Sequence, residues 1–245
     1  MQPIEIVEII RRSEQGMTRP YICRGEDDQI YFVKGLSAGR RSLFGEWIAG
    51  HLGVALGLPI APFVLVSVSE ELFSLDSSSA SFELGAGVAF GSLKQAVTEL
   101  SYSVLGQIPL ESKRDLLVFD WWVKNGDRNY TENGGNPNLF WQPADEKLVI
   151  IDHNQAFDYE VNKENFFDTH IFRDHASSLC NDWLYQDEYR ERLGEALGQW
   201  DEIVKHIPKS WFFIDNEMTV PADFDLEAAY AVLARYKDNE FWDWL

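Results

Sequence analysis

The sequence predicts an α+β fold in two lobes: a small β-rich N-lobe carrying one helix, and a larger, mainly helical C-lobe containing one hairpin. Three observations predict it. Short apolar runs with β-branched residues and strand-like alternation dominate up to residue 92, and the period turns helical from residue 93 onward. Within that second part only residues 138–141 and 148–151 read as strands. The lobes are therefore placed at 1–92 and 93–245.

In chain order, Ile4-Glu5-Ile6-Val7-Glu8-Ile9-Ile10 reads as the first strand, and Arg11 to Thr18 as a polar loop. A second strand follows over 20–24, then a Gly25-Glu26-Asp27-Asp28 turn and a third strand over 30–34, which makes a meander. Leu43, Trp47, Ile48, Leu52 and Leu56 recur at helical spacing, with Ser42 as N-cap and Gly57 as terminator. Strands are expected at 63–68 and 72–75, and the glycine-rich passage 85–92 is taken as the lobe boundary. Helices are expected at 112–124, 183–200 and 226–237, and the hairpin arms are joined by the polar turn 142–147.

Composition is that of a globular protein: 245 residues, 45% hydrophobic, 14% aromatic and 25% charged, with 9 Trp and 16 Phe for the cores. Charge is the outlier. Forty acidic residues against 21 basic ones give −19, which repels phosphate backbones and anionic headgroups. Nucleic acid and membrane surfaces are therefore discounted as partners, and basic soluble partners are favoured. Residues 47–68 are apolar apart from His51 and Ser67, but Gly57, Pro59 and Pro62 break the run, so it divides into a helix and a strand. Two cysteines without a CxxC pattern, and a start that carries acids and a proline, point to the cytoplasm rather than secretion. The clusters Trp211-Phe212-Phe213 and Phe241-Trp242-Asp243-Trp244 read as core or docking surface.

Chemistry is concentrated in Asn125-Gly126-Asp127-Arg128-Asn129, Asn136-Pro137-Asn138 and Ile151-Asp152-His153-Asn154. An Asp after a helix, an Asn at the start of one hairpin arm and an Asp leaving the other converge on one end of the hairpin. Such oxygen donors suit Mg²⁺, which keeps waters and substrate phosphates as its remaining ligands. In phosphoryl transfer the loop Asp127 accepts the proton of the attacking hydroxyl, while Asn138 and Asp152 hold the metal. That chemistry also needs a cation for the ATP phosphates. Lys34 at the end of the third strand supplies it, with Glu46 on the following helix to hold the ammonium. The loop around Gly16, with Thr18 and Arg19, is the candidate phosphate cover. His153, His170 and His175 do not form a zinc spacing, and are read as packing or orienting residues.

With Gly45-Glu46-Trp47-Ile48-Ala49-Gly50-His51, Gly57-Leu58-Pro59-Ile60 and Phe90-Gly91-Ser92, these motifs resemble the HipA-like kinase family over residues 1–175. The hairpin segments are also similar to those of type II phosphatidylinositol 4-kinases. The resemblance implies a protein-kinase-like fold and an ATP- and Mg²⁺-dependent serine/threonine kinase. It also implies, as in several members, the toxin half of a toxin–antitoxin pair, with a protein substrate or an antitoxin as partner. By position it makes Asp127 catalytic, Asn138 and Asp152 metal ligands and Lys34 the ATP lysine. The interval from Asp127 to Asn138 exceeds the family's, which leaves Asn133 and Asn136 as alternatives. Two other functions remain open: a nucleotide-binding regulatory module without transfer, and a small-molecule or lipid kinase.

Overall fold

A computed structural model describes residues 2–14, 19–74, 83–100, 102–130 and 134–244. By its contacts the chain forms two compact units. One comprises Met1–Trp47, Ala61–Ala96 and His206–Phe224, the other Ile48–Ile60, Val97–Lys205 and Asp225–Leu245. Where the sequence reading places a single boundary after residue 92, the chain changes unit several times, first within a helix and last near its C-terminus.

The first unit is built on strands β1 (Ile4–Arg12), β2 (Tyr21–Gly25), β3 (Ile30–Lys34), β4 (Phe63–Val68) and β5 (Gly87–Leu93). They close into a barrel of order β1-β2-β3-β5-β4, antiparallel except where β1 meets β4. Period-two alternation fills its interior with Ile6, Tyr21, Cys23, Tyr31, Val33, Val66, Val68 and Ala89. The meander is as expected, but β1 runs on through Arg11 and Arg12, because Ser13 N–H donates to the Pro20 carbonyl and closes the hairpin. The glycine-rich passage is not a linker. It forms β5, paired with both β3 and β4, and its glycine serves packing: a Cβ on Gly91 would stand 2.6 Å from Val66 Cγ1.

Helix α1 (Arg40–Ala55) starts slightly before Ser42 and stops before Gly57, whose φ of 87° is one that glycine adopts freely. The Gly57 and Leu58 N–H groups donate back to Val54 and Gly53, which closes the end. Residues expected as a strand at 72–75 instead begin a short helix, α2 (Glu71–Ser74), because the Leu72 and Phe73 amides find turn acceptors at Ser69 and Glu70. Leu72 and Phe73 still pack on the barrel core; residue 75 lies outside the described residues.

The first half of α1 buries Leu43, Phe44 and Trp47. Phe44 stacks on Phe224 at 4.5 Å, Trp47 meets Trp211 edge-on at 6.5 Å, and Trp211 Nε1 donates to the Val88 carbonyl at 2.8 Å. The first aromatic cluster is thus core of this unit.

The second unit contains β6 (Thr98–Glu99), α3 (Tyr102–Leu105), α4 (Leu110–Trp122), β7 (Leu139–Gln142) and β8 (Lys147–Ile150). The helices α5 (Lys163–Thr169), α6 (Ala176–Cys180), α7 (Trp183–Leu197), α8 (Trp200–Lys205) and α9 (Leu226–Ala234) follow. The expected hairpin is β7–β8, and the short β6 makes it a three-stranded sheet. The helix expected over 183–200 is interrupted after Leu197, where the Gly198 N–H turns back to Gly194 and Glu195. The one expected over 226–237 tightens to a 3-10 turn from Arg235. α4 is the central core element: its residues 116–122 are all buried, and its two indoles donate to the Phe241 and Leu233 carbonyls. Phe241, Trp242 and Trp244 are buried here, so the second aromatic cluster is core as well. Among the described residues no helix is long and apolar enough to cross a membrane.

Candidate active site

In the first unit, the pattern that builds β3 ends at Lys34, which pairs with Phe90 on β5 and is only 8% exposed. Burying an ammonium is costly unless a carboxylate meets it. Glu46, 2% exposed on α1, does so: Lys34 Nζ lies 2.5 Å from Glu46 Oε1. The structure thus brings together the two residues that the sequence pairs, and sets Lys34 apart from an ordinary solvated strand-end lysine. Of the expected phosphate cover, Thr18 lies outside the described residues. Arg19 is exposed, with φ of 40° and its carbonyl accepting from Arg12 Nε at 3.2 Å.

In the second unit, α4 ends at Trp122, and Lys124 with φ of 51° turns the chain into the loop carrying Asp127. Asn138, immediately before β7, is buried and donates its Nδ2 to Asp127 Oδ2 at 3.0 Å. Asn136 is exposed and Asn133 lies outside the described residues, so of the alternatives it is Asn138 that meets Asp127. At the far end of β8 the Ile151 N–H donates to the Asn138 carbonyl at 3.2 Å, and half-buried Asp152 follows. Asp127, Asn138 and Asp152 therefore gather at one end of the hairpin. Asn138 and Asp152 are both left-handed, with φ of 51° and 58°, a conformation that costs of order 1–3 kcal/mol each and persists where surrounding bonds impose it.

Among the described residues no three His, Cys, Asp or Glu side chains form a metal cluster. The donor set fits Mg²⁺ on other grounds. With Asn138 Nδ2 committed to Asp127, its amide oxygen remains an acceptor. One amide oxygen and one carboxylate are what a magnesium that keeps waters and phosphates asks of a protein.

Sequence reasoning missed the support beneath this loop. Asp120, fully buried on α4, accepts from Asn125 Nδ2 at 2.9 Å, Arg128 Nε at 2.6 Å and His170 Nε2 at 3.0 Å. His170 Nδ1 accepts from the Phe172 N–H at 3.1 Å, so the ring proton sits on Nε2 and the imidazole is neutral. Burial holds its pKa below the usual value, against the opposing pull of Asp120. Burial pushes the Asp120 carboxyl up, but the Arg128 guanidinium and the His170 bond outweigh it and the net shift is downward. A signal was present: Asp120 interrupts the apolar run Leu116-Leu117-Val118-Phe119 and Trp121-Trp122, where a charge is tolerated only if paired.

A barrel unit with a buried Lys–Glu pair, joined in one chain to a helical unit whose hairpin gathers Asp, Asn and Asp, defines the class as a kinase-like phosphotransferase. The chain belongs to the HipA-like kinase family, whose model matches residues 6–245. Among solved structures it is similar to the crystal structure of a Helicobacter pylori proinflammatory kinase, CtkA. The match has 11% identity and a TM-score of 0.51, and covers 97% of this chain and 95% of that one; at that identity the likeness is one of fold. No curated protein sequence matches.

Proposed function

We propose that the chain transfers the γ-phosphoryl group of ATP to a hydroxyl, and that the hydroxyl is a Ser or Thr of a protein. The observation that carries the reading is the buried Asn138 amide bonded to Asp127 at 3.0 Å, which seats a candidate base beside a candidate metal ligand. In this reading Lys34, steadied by Glu46, pairs with the α- and β-phosphates. Asp127 accepts the proton as the acceptor oxygen bonds to the γ-phosphorus and the bond to the β–γ bridging oxygen breaks, releasing ADP. The Asn138 amide oxygen and the Asp152 carboxylate would hold Mg²⁺, which when bound would supply charge neutralisation on the transferred group. Arg19 is the candidate phosphate cover in this reading. The family also motivates a role as one half of a toxin–antitoxin pair, and the two free thiols, Cys23 and Cys180, agree with a reducing cytoplasm.

The test compares ATP turnover and protein labelling by the wild type, Asp127→Asn and Asp152→Asn, with Mg²⁺ present. Removing the base should cost about 10²–10⁴-fold, and Asp152→Asn should raise the Mg²⁺ requirement. Equal turnover in all three overturns the assignment. Stabilisation by ATP without any turnover in the wild type would instead point to a regulatory nucleotide-binding module.

A further inference from the structure

The Arg128 guanidinium is almost wholly buried and makes bonds in two directions. On one side Nε donates to Asp120 Oδ2 at 2.6 Å. On the other, Nη1 donates to the carbonyls of Pro137 at 3.1 Å, Asn138 at 3.2 Å and Ile151 at 3.4 Å. One nitrogen with two hydrogens is thus shared among three acceptors on the two arms of the hairpin, all at its open end. Each candidate site residue lies next to one of these anchors. Asp127 is the preceding residue, Asn138 offers its own carbonyl, and the Ile151 carbonyl belongs to the peptide bond that leads into Asp152. The Arg128 carbonyl accepts from the Ile171 N–H at 3.1 Å, so its main chain is tied down too. The anchor is itself fixed, because Asp120 sits on α4 and is held from two further sides by Asn125 and His170.

We infer that Arg128 is a positioning residue. Its fork, locked by Asp120, holds the two left-handed peptides at Asn138 and Asp152 in register with Asp127, so that their oxygens converge before any cation arrives. This inference rests on the proposed roles of those three residues. It explains why an arginine is used. A planar guanidinium directs separate N–H groups at a carboxylate and at carbonyls, whereas a lysine ammonium is a point donor that cannot span both. The ion pair with Asp120 cancels the guanidinium charge, so the clip adds little repulsion towards a metal beside it.

The experiment uses full-length wild type, Arg128→Lys and Asp120→Asn, the last of which loosens the anchor while leaving Arg128 in place. Two readouts are taken on each: amide hydrogen exchange at residues 138–139 and 150–153 without nucleotide, and the Mg²⁺ and ATP dependence of turnover. Expected are faster exchange in those segments and a Mg²⁺ midpoint raised about 10-fold or more, as for other residues that orient metal ligands. The ATP KM at saturating Mg²⁺ should stay near wild type, a split that general loss of structure would not produce. Asp120→Asn should move both readouts in the same direction by less, and it carries the test if Arg128→Lys does not fold. Unchanged exchange, or faster exchange with an unchanged Mg²⁺ midpoint, overturns the inference. A wild type without turnover sinks the kinase reading instead, and the exchange data alone then decide whether Arg128 holds the loop.

Discussion

At the scale of single residues, the buried charges among the described residues are answered. Lys34 meets Glu46, and Asp120 meets Arg128 with a neutral imidazole as second donor. The neutral state of His170 has a consequence for pH. Its pKa is lowered in the folded protein from the ordinary 6.5 by burial, so below pH 6.5 the unfolded chain takes up a proton that the native state refuses. Stability must then fall as pH drops from about 6.5, by up to about 1.4 kcal/mol per unit for this one group. The charged groups facing it are Asp120 on α4, Arg128 in the loop and Arg173 in the following turn. His175, also pushed down by burial and by Lys113, contributes in the same direction. His170→Gln retains an N–H for Asp120 and removes the titration. Chemical denaturation between pH 5 and 7 should give a shallower pH slope for the variant than for the wild type, and equal slopes would contradict a neutral, buried His170.

At the scale of elements, packing assigns roles that motif reading left open. Phe90-Gly91-Ser92 carries part of the family resemblance, yet Gly91 pairs with Val33 on one side and Val64 on the other, with Val66 Cγ1 2.6 Å from where its Cβ would be. Gly91→Ala should therefore destabilise by about 1–3 kcal/mol, the usual cost of overpacking a filled core. Adding Val66→Ala should recover part of it, and a purely additive double mutant in urea denaturation would show that the crowding is not the cause. The same strand shows where the sequence was legible. β2 and the first hairpin arm alternate buried and half-buried residues with period two, and Gly57 marks a helix end, so local pattern and local physics agree. β5 was hidden because its glycines look like a linker until the neighbouring strands supply a crowded wall, and α2 because Leu72 and Phe73 face the core from a turn as readily as from a strand. Within the candidate site, Lys34, Asp127, Asn138 and Asp152 stood out as polar residues at the ends of apolar elements. The Asp120–His170 contact joins positions far apart in the chain, and no local period records such a pair.

At the scale of the whole molecule, the excess of acid acts on every charged reactant. A net charge of −19 surrounds the protein with negative potential, which slows the approach of anions and speeds that of cations until salt screens it. At 0.1 M ionic strength the screening length is about 10 Å, short against the size of a domain. The two reactants of the proposed transfer should then respond in opposite ways. With Mg²⁺ saturating, kcat/KM for ATP should rise as sodium chloride goes from 10 to 150 mM, because the complex still carries negative charge. For a lysine- and arginine-rich acceptor peptide bearing one serine, kcat/KM should fall over the same range, by a few-fold in each case, since steering acts on encounter rather than on chemistry. An acidic acceptor peptide of the same length gives the control: its kcat/KM should rise with salt as that of ATP does. If the basic and acidic peptides instead share one salt response, the surface charge plays no part in choosing the acceptor, and the preference for basic protein partners read from composition is wrong.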